Sequence, residues 1–297
     1  MIIYHYCSLP VFKEIIVNKR LRFTDITQSN DSRELSWIAE FIEPAILSIR
    51  PDLFKSEKFK TDLDYAIRSV WGSLLRGNEV FSESLIRRFV CCFSGERDSL
   101  SQWRGYADDG RGICIGFDDT VFSSRQTGLP ACYKYDRVKY EPDEHIEMIQ
   151  NTLFSELRCM ALDEILCVDF NLGSLFYHSG LMEESIFHKN SAFKDEKERR
   201  VVLDWYGTSS DYQDVHGGYR FLPFEYTATS TNLKCYTDFC FKDMERQEPF
   251  IKEVIIGPNA KITINEMCNF LSDNGLDYFR LNNNNGVVRS SATYISW

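Results

Sequence analysis

Ser94, Arg97, Ser99, Gln102 and Arg104 crowd one short span of the chain together with Trp103 and Tyr106. Trp103 and Tyr106 stand at helical spacing, so a short helix would put both rings on one face. Aromatic surface beside hydroxyls and guanidinium groups suits a ligand built of rings and phosphates. The same residue types also fit a hairpin whose helix packs Trp103 and Tyr106 into a core, and residue types alone leave both readings open.

The elements needed to hold such a span flank it. Residues 89–93 are an apolar, sheet-favouring run of strand length. Residues 94–98 break it with turn chemistry. Ser99 is placed to cap a short helix, because its hydroxyl can accept from a free N–H in the first turn. Gly110 and Gly112 bracket Arg111, and 113–117 is strand-like again. Upstream, the pattern predicts a strand over 2–6, a helix over 11–18 opened by Ser8 and Pro10, a strand over 21–24, a polar loop and a helix over 32–49. Two helical stretches follow, 55–88 and 144–183, with the strand 131–140 between them. Further strands are expected from about Glu198 and over 250–258. The chain closes with a helix over 264–271, a strand over 278–281 and an asparagine turn to Gly286. The whole reads as an α+β fold, a single catalytic-type domain with helical insertions at about 51–88 and 141–190.

Composition narrows the functions. The chain has 297 residues, 43% of them hydrophobic, enough to bury a sizeable core. No apolar run is long enough to span a membrane, and no signal-type segment opens the chain, so a cytoplasmic protein is expected. Ten cysteines fall mostly in apolar stretches with no C-x-x-C, and five histidines are dispersed. Cys91, Cys92 and Cys114 are expected to be reduced and buried, with no metal. The net charge of −10 argues against non-specific binding to long nucleic acid, although Arg87, Arg88, Arg97, Arg104 and Arg111 cluster. There is no GxGxxG, no P-loop and no G-x-S-x-G.

An ordered set of motifs spans nearly the whole chain: His5-Tyr6-Cys7-Ser8, Leu21-Arg22-Phe23-Thr24, Asn30-Asp31-Ser32-Arg33-Glu34, Cys92-Phe93-Ser94, Trp103, Tyr106-Ala107, Gly112, Glu196-Lys197-Glu198-Arg199 and Ile255-Ile256-Gly257-Pro258. The set resembles a large bacterial family called domain of unknown function 2971, whose name carries no activity. The chain more distantly resembles ADP-ribosyltransferases, particularly the DNA-modifying toxins. That resemblance implies a mixed-sheet core that binds NAD. It assigns His5 to the bound NAD, Arg33 to the early polar loop, Ser94 with Trp103 and Tyr106 to the nicotinamide, and Glu198 to the start of a late strand. Cys7 stands where a threonine often follows the histidine's neighbour, and Glu196 competes with Glu198.

Glycosidic cleavage of NAD builds positive charge on the ribose, as in glycoside hydrolysis. Glu198, an anion aimed at that charge, would act on the transition state. The bland alternative is a solvated glutamate in the charge run 194–200. Arg33 would grip the diphosphate with its planar fork, or pair with Glu34 at a helix start. Arg97 and Arg104 would meet the substrate. His5 would bond the adenosine ribose or the nicotinamide amide, or sit satisfied between Tyr4 and Tyr6. The expectation is ADP-ribosyl transfer to a macromolecule, nucleic acid or protein, in a toxin or phage-defence role. The alternatives are an NAD or nucleoside glycosidase using water, and a non-enzymatic nucleotide or partner-binding module. The transferase reading requires His5, Ser94 and Glu198 to converge on one cleft.

Overall fold

The structure, a computed structural model, describes residues 1–28, 36–75, 86–123, 133–167, 171–206, 220–221, 223–228, 232–242, 249–281 and 286–294. The strands are β1 (Ile2–Cys7), β2 (Arg20–Asp25), β3 (Ile86–Ser94), β4 (Ile113–Asp118), β5 (Tyr133–Arg137), β6 (Glu198–Tyr206), β7 (Arg220–Phe221), β8 (Glu225–Ala228), β9 (Leu233–Cys240), β10 (Ile251–Ile256) and β11 (Val287–Arg289). The helices are α1 (Leu9–Asn18), α2 (Ile42–Ile49), α3 (Glu57–Leu75), α4 (Leu100–Tyr106), α5 (Thr120–Ser123), α6 (Pro142–Cys159), α7 (Leu162–Ile165), α8 (Leu172–His178), α9 (Leu181–Ser185), α10 (Ile264–Asp273) and α11 (Tyr278–Leu281). A 3-10 turn covers Trp37–Phe41. The fold is α+β, and its contacts divide the chain into two units: 1–26, 87–137 and 195–297, and 27–86 with 138–194.

The first unit is built on one mixed sheet, ordered β11-β10-β4-β1-β3-β2-β9-β7, with β6 also on β3, β5 on β6 and β8 on β9. β10 and β11 run parallel, and β1 is antiparallel to β4 from Ile2↔Asp118 to Cys7↔Ile113. Side chains alternate faces along a strand, so each strand splits between two environments. Ile3 and Cys7 of β1, Phe89, Cys91 and Phe93 of β3, and Val201, Leu203 and Trp205 of β6 share the main core. Tyr4 and Tyr6 point the other way, into a smaller cluster with Trp103, Ala107, Cys114 and Ile255.

The second unit collects both helical stretches around a core of Ile42, Ile46, Leu63, Trp71, Leu153 and Phe176. Arg50 ties it: its guanidinium donates to Leu157 O and Met160 O at the end of α6 and pairs with Asp52. Free carbonyls at a helix C-terminus are natural partners for a cation.

Several expected elements differ. The helix over 55–88 stops before Ile86, where β3 begins; Arg88 faces Asp204 of β6 at 3.0 Å, a contact that an extended backbone permits. Among the described residues the helical stretch 144–183 holds four helices: Met160 is extended, Asn171 caps α8 through Ser174 N, and Gly180, at φ +79°, separates α8 from α9. Residues 278–281 form α11, not a strand, because Asp277 O accepts from Arg280 N and Leu276 O from Phe279 N. The strand expected over 131–140 is described as Tyr133–Arg137. Arg33, Asn30 and Asp31, the polar stretch 207–218 and residues 282–285 of the asparagine turn lie outside the described residues.

Candidate functional site

The end of β3 and the start of β6 meet at a polar corner of the first unit. Ser94 Oγ donates to Glu196 O at 2.7 Å and accepts from Glu96 N at 3.1 Å. Gly95 N donates to Lys197 O at 2.8 Å. Lys197 adopts φ +43°, a left-handed conformation costly for a residue with a Cβ. The turn carries Glu196 out beside Tyr106, whose hydroxyl donates to Glu196 Oε1 at 2.7 Å. Tyr106 is 47% exposed, and Lys197 pairs with Glu96 alongside.

A second cluster adjoins through Tyr4, the register partner of Ser94. Tyr4 OH donates to Glu253 Oε1 at 2.9 Å, and Arg97 Nε lies 3.1 and 2.9 Å from the two Glu253 oxygens. Burial, followed by the Glu253 carboxylate, pushes the Tyr4 phenol well above its ordinary value. Arg97 stays half exposed at the rim. Tyr6 accepts from Ser99 N and donates to Glu96 O, which pins the turn before α4.

Asp98 fixes α4 at its other flank. It accepts from Trp103 Nε1 (2.7 Å), Ser290 Oγ (2.6 Å), and Ser291 N and Oγ (2.7 and 2.8 Å). Burial raises its carboxyl, but these four bonds outweigh it and hold the pKa below the ordinary aspartate value. Ser99 is the N-cap residue, yet its hydroxyl meets Ser101 Oγ rather than the helix backbone.

The expected site residues therefore part company. Ser94, Tyr106 and Arg97 lie in the polar corner. Trp103 is fully buried beside Tyr6, their ring centroids 4.9 Å apart, and has no exposed surface for a ligand. Arg104 lies over the Tyr294 ring, 5.8 Å from its centroid. Glu198 is buried against Arg200, whose Nε and Nη2 donate to its carboxylate at 2.7 and 3.0 Å. It alternates with Val201, Leu203 and Trp205, and so occupies the sheet face away from the main core. His5 lies on the core face, in phase with Ile3 and Cys7. Its ring meets Phe93 edge-on and its Nδ1 sits 3.2 Å from Cys92 O; burial lowers its pKa. The expected convergence of His5 with Ser94 and Glu198 does not occur: alternation puts His5 on one sheet face and the other two on the opposite one. Arg33 lies outside the described residues.

The thiols also need one correction. Cys91 and Cys114 are buried, which raises their pKa values, but Cys92 is exposed because it points away from the core that holds Cys91 and Phe93. Among the described residues no three His, Cys, Asp or Glu side chains gather as a metal set. No helix there is long and apolar enough to cross a membrane.

Glu253 was not singled out in the sequence. Its signal is an acid inside the apolar run of β10, where the register shifts between Ile251 and Glu253. Asp98 gave no signal beyond a turn residue, because three of its four bonds come from Ser290 and Ser291, near the far end of the chain.

Residues 102–201, about a third of the chain, match the family model described as Protein of unknown function (DUF2971), the family read from the motifs. That segment runs from α4 to the start of β6 and includes Tyr106, Glu196 and Glu198. No curated protein and no solved structure matches the chain.

Proposed function

We propose that the corner formed by Ser94, Arg97, Tyr106 and Glu196 binds a nicotinamide dinucleotide and cleaves its glycosidic bond. Glu196, not Glu198, is the working carboxylate. The observation that carries this is the pairing of the half-exposed Tyr106 with Glu196 beside the Ser94 turn. It brings an accessible aromatic ring and an anion together from segments far apart in sequence.

The roles follow from chemistry. Tyr106 offers a ring for stacking and a hydroxyl that can exchange Glu196 for a ribose hydroxyl. Glu196 stabilises the oxocarbenium-like charge as the C1′–N bond breaks and nicotinamide leaves with the bonding pair. Arg97 and Lys197, at the rim, suit the diphosphate. The ribose carbon is then captured by water; the transferase reading, which required His5 and Glu198 in one cleft with Ser94, is set aside because His5 and Glu198 lie on opposite sheet faces. Glu198 serves as a structural ion pair in this reading, and His5 has no part in the site.

The test is nicotinamide release from NAD, alone and with DNA, RNA or protein added. Release without an acceptor supports the glycosidase, and release only with one would bring the transferase reading back. Glu196→Gln should lower release by about two to three orders of magnitude, the usual effect of removing one electrostatic stabiliser. Wild-type protein that neither binds NAD nor releases nicotinamide under any of these conditions would sink the proposal. A binding module is the second reading, favoured by the internal pairing of Tyr106 with Glu196 and of Arg97 with Glu253. NAD bound without turnover would select it.

A further inference from the structure

Four ring nitrogens of the second unit stand in line. Trp37 Nε1 is 3.3 Å from His145 Nε2, and His145 Nδ1 is 2.7 Å from His188 Nδ1. Both imidazoles are fully buried. Their ring centroids are 5.0 Å apart, and Phe41 closes on His145 at 4.7 Å.

The geometry admits one proton assignment. An indole N–H can only donate, so His145 Nε2 must present its lone pair. Neutral His145 then carries its proton on Nδ1 and gives it to His188 Nδ1. The proton of His188 therefore resides on Nε2. Both rings are neutral, and the chain runs Trp37 to His145 to His188.

An added proton breaks one of these bonds. On His145 a second proton would occupy Nε2 and face the indole N–H. On His188 it would occupy Nδ1 and face the Nδ1–H of His145. Either case replaces a hydrogen bond with two opposed donors and places a charge where water does not reach.

We propose that Trp37, His145 and His188 form an acid-sensitive latch, joining the 3-10 turn Trp37–Phe41, α6 and the segment after α9 while both imidazoles are neutral and releasing them on protonation. The charged groups on the elements that meet here are Glu40 on the turn, Glu141 capping α6, Asp143, Glu144, Glu147, Glu156 and Arg158 along α6, Glu183 and Glu184 on α9, and Lys139 and Lys189 beside His188. Burial lowers the His145 pKa and outweighs Glu144, Glu141 and the backbone of Tyr140, which raise it.

The sign follows from proton counting. Folded His145 gives up its proton more readily than unfolded histidine, whose pKa is about 6.5. Its contribution to stability is therefore complete above that pH and is lost as the pH falls below it. Each proton taken up on release changes the folding constant by about tenfold per pH unit.

The experiment follows unfolding of the full chain between pH 8 and pH 5 for wild type and His145→Gln. Glutamine can accept from Trp37 and donate to His188 without titrating. Below pH 6.5 the wild-type folding constant should fall more steeply, by about one extra factor of ten per pH unit. Equal slopes would overturn the latch. Histidine side-chain 15N spectra of the wild type provide a second measurement that needs no variant. At pH 7.5 they should show His145 protonated on Nδ1 and His188 on Nε2, with neither titrating while the unit stays folded. Reversed tautomers, or a ring that titrates near its ordinary value in the folded protein, would overturn it.

Discussion

Glu196 and Glu198 differ in what surrounds them rather than in chemistry. The Glu198 carboxylate is held by Arg200, and both side chains are almost entirely out of water. Removing one partner of such a pair leaves an uncompensated buried charge, a loss of about 3–5 kcal/mol. Glu198→Gln should therefore lower the thermal midpoint sharply, whereas Glu196→Gln should leave it near wild type and lose nicotinamide release instead. The reverse pattern would return the catalytic assignment to Glu198. Lys19 is a second buried charge with a readable purpose. At φ +53° it ends α1, and its ammonium donates to Ile16 O and to Asn274 O, the latter at 2.7 Å, so it closes α1 and α10 together. Lys19→Met keeps the stem and removes the charged bonds, at a cost of about 2 kcal/mol; a denaturant midpoint equal to wild type would exclude that role. At this scale the sequence was half legible. The chemistry of Ser94, Arg97 and Tyr106 could be read from their types. That Glu198 would meet Arg200 two positions along its own strand, and that His5 would face the core, depend on strand phase, which the charge run 194–200 conceals for Glu198 and the apolar residues on both faces of β1 conceal for His5.

At the scale of elements, the turn after α4 has to let three segments pass close together. Gly112 N donates to Ala107 O, and Gly257 N donates to Gly112 O. A Cβ on Gly112 would lie 2.1 Å from Cys7 O, a collision with backbone that no side-chain rotation relieves. Gly112→Ala should cost about 1–3 kcal/mol and splay β4 from the end of β1. Faster hydrogen exchange at Ile113 and Cys114, with β9 unchanged, would be its signature; an unchanged midpoint would contradict the close approach. This part of the fold was the most legible, because β1, β4 and β10 are apolar runs bounded by turn residues. Other elements were misread for physical reasons. Tyr278-Phe-Arg-Leu281 has the composition of a strand and becomes one helical turn through the carbonyls of Leu276 and Asp277. β9 was not expected, although it carries a period-two signal, with Cys235, Thr237 and Phe239 buried between Lys234, Tyr236 and Asp238, and Asn232 precedes it. β11 is too short to show a period and exists because β10 offers it a parallel edge from Val254 to Ile256.

Across the whole molecule, the chain leaves the first unit and returns to it twice, and each unit keeps a core of its own. Among the described residues, the buried core of the helical unit comes from 38–71 and 149–181, and that of the sheet unit from other segments. Cooperative opening should therefore follow the cores and not chain order. Leu153 is fully buried in the helical core, so Leu153→Ala deletes methyl groups and leaves a cavity, a loss of about 2–5 kcal/mol. Hydrogen exchange on this variant should accelerate through α2, α3 and α6 together, although α2 and α3 are distant from residue 153 in sequence. Amides of β1, β4 and β10 should keep their wild-type rates. The reciprocal variant, Ile115→Ala in the middle of β4, should reverse the pattern: its side chain is fully buried in the sheet core. Equal acceleration of both sets by either variant would mean that the chain opens as one cooperative block. The two helical stretches would then be insertions that depend on the sheet for their stability.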